Sequence, residues 1–97
     1  MATYVLLVKF TDQGIRAAKD TIKRAHDFRA MAEKMGAAVK QEFWTVGRYD
    51  IIIIVEAPDA QTVAALCANV GQLGNVRTET LQAFNEPEMA AILKKIP

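Results

Sequence analysis

The sequence predicts an α+β fold, a ferredoxin-like βαββαβ sandwich with a four-stranded antiparallel sheet, two helices over one sheet face and a further C-terminal helix. Strand-like and helix-like segments follow one another in that order, separated by turn residues. Two of the strand-like segments are apolar on both faces, which is typical of central strands. The 97 residues are 52% hydrophobic and 24% charged. This composition excludes a disordered chain and predicts one domain over residues 1–97.

The first half of the sequence predicts a strand, a helix and a second strand. Residues 3–11 are rich in β-branched and aromatic residues and end at a turn cluster. Apolar residues then recur at helical spacing over residues 15–35, with Ile15 and Ile22 on the apolar stripe. We therefore expect one continuous helix of about five turns. Residues 39–46 alternate imperfectly and predict the second strand.

The second half predicts a hairpin, a helix, a fourth strand and the C-terminal helix. Gly47 and Arg48 form a tight connection between the second strand and a third strand over residues 49–56. Apolar residues at helical spacing over residues 63–73 predict an amphipathic helix. Residues 76–84 predict the fourth strand, and residues 86–96 the terminal helix.

The first and third strands pose a packing problem, because two helices can cover only one face of the sheet. An uncovered apolar face is typical of an association surface. The sequence predicts a symmetric dimer, or a larger assembly built from it, in which two sheets pack face to face. The alternative is that the C-terminal helix folds over the open face of its own chain. The residues on that face are either Val5 and Leu7 or Tyr4, Leu6 and Val8.

Charge and composition restrict the classes of partner. Twelve Lys and Arg against eleven Asp and Glu leave a net charge of +1, which argues against nucleic acid or an anionic membrane as partner. No apolar run approaches the ~20 residues of a membrane span. No signal peptide is expected, since Lys9 and Asp12 interrupt the apolar start. The single cysteine, Cys67, predicts a cytoplasmic protein, and its place on an apolar helical stripe predicts a buried small hydrophobe.

Few residues could carry catalysis. One histidine and one cysteine do not make a metal site, and no cofactor-binding motif is present, so we expect neither a metal nor a cofactor. His26 is either a half-exposed helix residue or a proton carrier beside a cavity. Asp50 immediately precedes an apolar strand, where a carboxylate needs a partner. His26 and Asp50 are therefore the candidate catalytic bases.

The hairpin suggests a ligand site. Trp44 and Tyr49 are predicted to lie close together across it, where amphipathic aromatic side chains either pack the edge or line a pocket. With Asp50 and Arg77 they are the predicted ligand-binding residues. For Tyr49 and Asp50 the favoured interpretation is structural, namely that they lock the hairpin by hydrogen bonds, and the ligand-contact role is the alternative. The directions of Lys9, Arg77 and Glu79 are left open.

Three segments resemble the GYD domain family: residues 10–15, 44–50 and 73–80. The glycine, tyrosine and aspartate that name the family are Gly47, Tyr49 and Asp50. The resemblance extends over residues 4–84. It implies a small prokaryotic protein of the dimeric α/β-barrel group, in which two sheets close around a pocket. Similar folds host cofactor-free oxygenases, isomerases, haem enzymes and ligand-sensing domains, so the resemblance implies no single reaction.

The sequence is therefore compatible with three functions. The first is binding of a small molecule in the pocket of a homodimeric barrel. The second is a cofactor-free enzyme, oxygenase-like or isomerase-like, that acts on a small aromatic or carbonyl compound. The third is a plain oligomerisation module. The expected partners are a second copy of the chain and a small-molecule ligand.

Overall fold

Four strands form one antiparallel sheet in the computed structural model, which describes residues 1–97. The elements are β1 (Ala2–Phe10), α1 (Asp12–Arg16), a 3-10 turn (Ala18–Asp20), α2 (Thr21–Lys34), β2 (Ala38–Trp44), β3 (Ile51–Ala57), α3 (Ala60–Gln72), β4 (Val76–Ala83) and α4 (Glu86–Leu93). The strand order is β2-β3-β1-β4. The predicted α+β fold is confirmed, with β1 and β3 in the centre of the sheet.

The hydrophobic core lies between the sheet and the two long helices. Alternate residues of β1 and β3 point into it, as the period of two along a strand requires. The largest fully buried side chains are Leu6, Val55, Val63 and Leu66. Strand residues from both central strands therefore meet α3 in the middle of the core.

The prediction of one continuous helix over residues 15–35 is wrong. A 3-10 turn separates α1 from α2. The Arg24 guanidinium donates hydrogen bonds to the carbonyls of Ala17 (2.9 Å) and Gly14 (3.2 Å). This contact fixes α1 against α2 across the break. Ile15 and Ile22 are consequently exposed, although the helical spacing had placed them on the buried stripe.

The connection between β2 and β3 is longer than the predicted Gly47-Arg48 turn. It spans residues 45–50, and the Thr45 amide donates to the Asp50 carbonyl at 2.9 Å to close it. Asp50 and Tyr49 thus lie in the loop rather than in β3. β2 also contains a bulge at Lys40, where the pairing with β3 shifts by one residue.

The C-terminal helix leaves the sheet face opposite α2 and α3 uncovered. Asn85 and Glu88 form a capping box that begins α4. Beyond this start, α4 makes few contacts with any other helix or strand. The alternative in which the terminal helix covers the sheet of its own chain is therefore wrong. None of the helices combines the length and apolar character that crossing a membrane requires.

Candidate functional site

The open sheet face, which is the side opposite α2 and α3, carries a continuous apolar patch. Six side chains from all four strands form it: Val5, Leu7, Phe43, Ile52, Ile54 and Leu81. Phe43 is 53% exposed and Leu81 52% exposed. A patch that crosses the whole sheet is typical of an association surface.

One end of the open sheet face is polar. The Tyr49 hydroxyl donates to Glu79 Oε2 at 3.1 Å, so the hairpin loop reaches across to β4. Lys9 lies beside this contact and is paired with Arg77 in the β1–β4 register. The Arg77 side chain instead reaches around the sheet edge to α3, where its Nη1 lies 3.8 Å from the position of a Cβ on Gly71. Tyr49, Glu79 and Lys9 therefore form the polar end.

Asp50 anchors the hairpin loop to the end of β1. Its amide donates to the Val8 carbonyl at 2.8 Å, and its Oδ2 accepts from the Phe10 amide at 2.8 Å. The carboxylate thereby finds the partner that its position beside an apolar strand requires.

Two of the segments that resemble the GYD domain family, the first (residues 10–15) and the third (residues 73–80), contact each other at the same end of β1. The Thr11 amide donates to the Asn75 carbonyl at 3.0 Å. Gln13 Nε2 donates to the Leu73 carbonyl (3.0 Å) and to Asn75 Oδ1 (2.9 Å). Gly14 packs so tightly that an added Cβ would lie 1.9 Å from the Asn75 carbonyl oxygen. Together with the loop held by Asp50, all three segments meet where β1 ends.

The four predicted ligand-binding residues do not line one cavity within the chain. Trp44 Nε1 donates to Thr21 Oγ1 at 3.0 Å on the helix side of the sheet, whereas Tyr49 lies over the open face. The prediction that these two rings lie close together is wrong, because β2 ends at Trp44 and the chain then crosses to the other face. Asp50 lies at the end of β1, and Arg77 at the outer edge of β4. A ligand role for these four residues stays a prediction.

The two candidate bases are also apart. His26 is exposed on α2, while Asp50 bonds to β1. Their catalytic roles stay predictions. Cys67 is half-buried, with its Sγ 3.5 Å from Thr80 Oγ1. No group of three or more His, Cys, Asp and Glu side chains is arranged to hold a metal ion.

Glu42 is a buried carboxylate that is not among the candidate residues predicted from the sequence. It lies on the helix side of β2, its side chain is 4% exposed, and its Oε1 is 3.1 Å from Arg29 Nη2. Burial raises the pKa of Glu42, and the positive charges of Arg29 and His26 offset only part of this effect. Glu42 and Trp44 are two positions apart, so they lie on the same face of β2. This spacing was the signal in the sequence that Glu42 faces the helices.

The raised pKa predicts that Glu42→Gln stabilises the protein at neutral pH. The folded state holds the Glu42 proton more tightly than the unfolded chain, whose carboxyl titrates near the ordinary value of 4.5. Stability is therefore lost as the pH rises through the folded-state pKa. The gain from glutamine should shrink as the pH falls below 4.5. Urea unfolding at neutral and acidic pH measures both differences.

Glu33→Gln is the control for this measurement. Glu33 is exposed on α2, so its replacement should change the free energy of unfolding by no more than about 0.5 kcal/mol. A gain for Glu42→Gln that persists undiminished at acidic pH would contradict the role of the charge.

The chain is similar to a known protein family and to a relative from Thermus thermophilus. The GYD domain family model matches residues 4–93. A Thermus thermophilus protein named "Glutamine synthetase and cystathionine beta-lyase binding protein" is 32% identical over 95 residues, which are 97% of this chain and 100% of the relative.

Two solved structures have a similar fold. The crystal structure of FFRP-DM1 has a TM-score of 0.62 at 20% identity, over 87% of this chain and 100% of that one. The crystal structure of the Thermus thermophilus protein TTHA0845 has a TM-score of 0.58 at 22% identity, over 88% of this chain and 95% of that one. At these identities the similarity is one of fold alone. Because the family model matches most of the chain, and because the Thermus relative matches over its whole length, the chain belongs to the GYD domain family. The three interlocking segments predict the same membership.

Proposed function

We propose that this protein is a small homodimeric protein of the cytoplasm that binds other proteins and does not convert a substrate. The uncovered apolar patch on the open sheet face supports the homodimer, and the whole-length relative supports the binding of other proteins. In the proposed dimer, two open faces pack against each other and the two sheets form an α/β-barrel. A two-fold axis would present the same patch from both copies, so each patch is covered by its equivalent.

The name of the Thermus relative supports binding of another protein. That relative is named for binding two enzymes, and it aligns with this chain over its whole length. We infer that a partner protein docks on the surfaces that the paired sheets leave free. α4 is the strongest of these, because Met89, Leu93 and Ile96 are exposed on or just after it. An isolated helix of this length is marginal in water, so a docked partner would stabilise it.

A second candidate function is binding of a small molecule between the two sheets. The polar end of the open sheet face supports it, because Tyr49, Glu79 and Lys9 would place hydrogen-bonding groups at one end of an apolar interior. Such a combination is typical of small-molecule sites. This candidate depends on the same dimer.

The oligomeric state tests the proposed dimer. The wild-type protein should have the mass of a dimer in native mass spectrometry and light scattering. Ile52→Lys places a charge in the centre of the open sheet face, twice per dimer. Because an unpaired buried charge costs several kcal/mol, dimerisation should weaken by about a hundredfold or more.

Ile22→Lys is the matched control, since Ile22 is 60% exposed on α2 and lies away from the sheet. It should remain dimeric, and circular dichroism should show that both variants fold. A monomeric wild-type protein, or a folded Ile52→Lys variant that stays dimeric, would contradict the face-to-face dimer. A stoichiometric extra mass on the wild-type dimer would identify the small molecule of the second candidate.

A further inference from the structure

A groove runs between α2 and α3 on the side of the protein away from the open sheet face. Its volume is about 350 Å³, which lies within the ~300–1,000 Å³ typical of small-molecule sites. Its apolar wall consists of Phe28, Met31, Val70, Leu73 and Val76. The groove therefore has the size and the apolar lining of a ligand site.

The groove continues inward to a smaller cavity between the helices and the sheet. This inner cavity has a volume of about 40 Å³ and shares Arg24, Phe28, Val70 and Val76 with the groove. Most of its other walls are apolar. A space of this size is enough for a small alkyl group, so the deep end suits the apolar end of a ligand.

Arg24 stands where the two cavities adjoin and carries an uncompensated charge. Its guanidinium donates to the carbonyls of Gly14 and Ala17 and lies 5.7 Å from the centre of the Phe10 ring. No carboxylate forms an ion pair with it. These contacts fix the cation in place while three of its five N–H donors remain without a partner in the chain. A fixed guanidinium with free donors is suited to a carboxylate.

The groove lining also contains one carboxylate, that of Asp27. Its Oδ2 is 3.7 Å from Lys23 Nζ, and its side chain is 71% exposed. The Asp27 charge is therefore directed to solvent and to its lysine neighbour, and it leaves the Arg24 guanidinium available to a ligand.

Asn75 adds a second donor group at the same corner. Its Oδ1 accepts from Gln13, which leaves its amide N–H groups free in the groove lining. Gly14 contacts both residues. Its carbonyl accepts a hydrogen bond from Arg24, and its Cα packs on the Asn75 backbone. Interlocking of the first and third segments thus places an amide and a guanidinium in the lining of the same groove.

We propose that this groove binds a small monocarboxylate with an apolar body. The carboxylate lies on Arg24 and Asn75, and the apolar group extends between α2 and α3 toward the inner cavity. The Glu42 carboxylate lines that cavity and is paired with Arg29. Arg24 is therefore the only cation in the lining of the two cavities, and it fixes the direction of the ligand. The site lies on the helix side of the sheet and does not depend on the proposed dimer.

Titration of the wild-type protein with 4-methylpentanoate, followed by amide NMR, tests this site. Saturable shifts should concentrate in α2, the end of α3 and the segment around Asn75. The uncharged isostere 4-methylpentanamide should bind at least about tenfold more weakly, because a charge-assisted hydrogen bond to arginine is lost. This comparison needs no variant.

Arg24→Gln should weaken 4-methylpentanoate binding by a similar factor. Arg48→Gln is the control, since it removes the same charge from the hairpin loop, away from the groove. Equal affinity for the acid and the amide would overturn the proposal. So would shifts centred on the open sheet face, or no saturable shift in the millimolar range.

Discussion

Gly14→Ala is expected to lower the free energy of unfolding by about 3 kcal/mol, at the upper end of the cost of overpacking. An added Cβ would lie 1.9 Å from the Asn75 carbonyl oxygen. That oxygen belongs to the backbone and accepts from the Thr11 amide, so it cannot move aside without breaking the contact at the end of β1. Urea unfolding monitored by circular dichroism measures the change.

Gly71→Ala makes the same chemical change in α3 without the clash. The nearest atom to its added Cβ is Arg77 Nη1 at 3.8 Å, an ordinary contact. Alanine is favoured over glycine inside a helix by about 0.5–1 kcal/mol, so this variant should be slightly more stable than the wild type. Equal destabilisation by both variants would mean that close packing at Gly14 is not the cause.

Leu66→Ala is the second change with a large expected effect, a loss of about 3 kcal/mol. Leu66 is fully buried between α3 and the sheet, and its truncation removes packing and leaves a cavity. For a domain of this size, the melting temperature should fall by more than about 10 °C. Differential scanning calorimetry measures it.

Leu73→Ala is the matched control at the end of the same helix. Leu73 is 62% exposed, so its replacement should cost no more than about 0.5 kcal/mol. Because Leu73 also lines the groove, the variant should bind 4-methylpentanoate more weakly while keeping its melting temperature. A large loss of stability would show that α3 packs on the sheet through a different face.

The sheet could be predicted from the sequence because its signals are local. β1 and β3 alternate between two apolar faces, and this pattern places them in the centre whatever surrounds them. The same pattern predicts that one face lacks cover. Only the structure shows which side chains lie there, because a shift of one residue exchanges the two faces.

The helix break depends on a contact that local periodicity does not contain. Residues 15–35 have helical spacing throughout, and the one local signal for a new helix start is Asp20, the N-cap of α2, whose side chain makes no capping hydrogen bond. The break coincides with hydrogen bonds from Arg24 to two carbonyls of the preceding turn. The groove between α2 and α3 depends on the position of the same Arg24 side chain. Neither the helix break nor the groove could therefore be predicted from the sequence.

The positions of Trp44 and Tyr49 in the hairpin also depend on more than the local sequence pattern. Trp44 and Tyr49 are five positions apart, and a two-residue turn would have brought them together across the hairpin. The loop is longer, because β2 ends at Trp44 and β3 begins only at Ile51. The two rings lie on opposite faces of the sheet. Loop length decides such placements, and the single glycine at position 47 does not define it.

Both outer strands of the sheet are protected against further pairing. The bulge at Lys40 interrupts β2, and the Arg77 side chain wraps over the outer edge of β4. A bulge or a charged side chain on an edge strand discourages the addition of another strand. The sheet therefore resists extension along its hydrogen-bonding direction, the route by which exposed strands grow into fibrils.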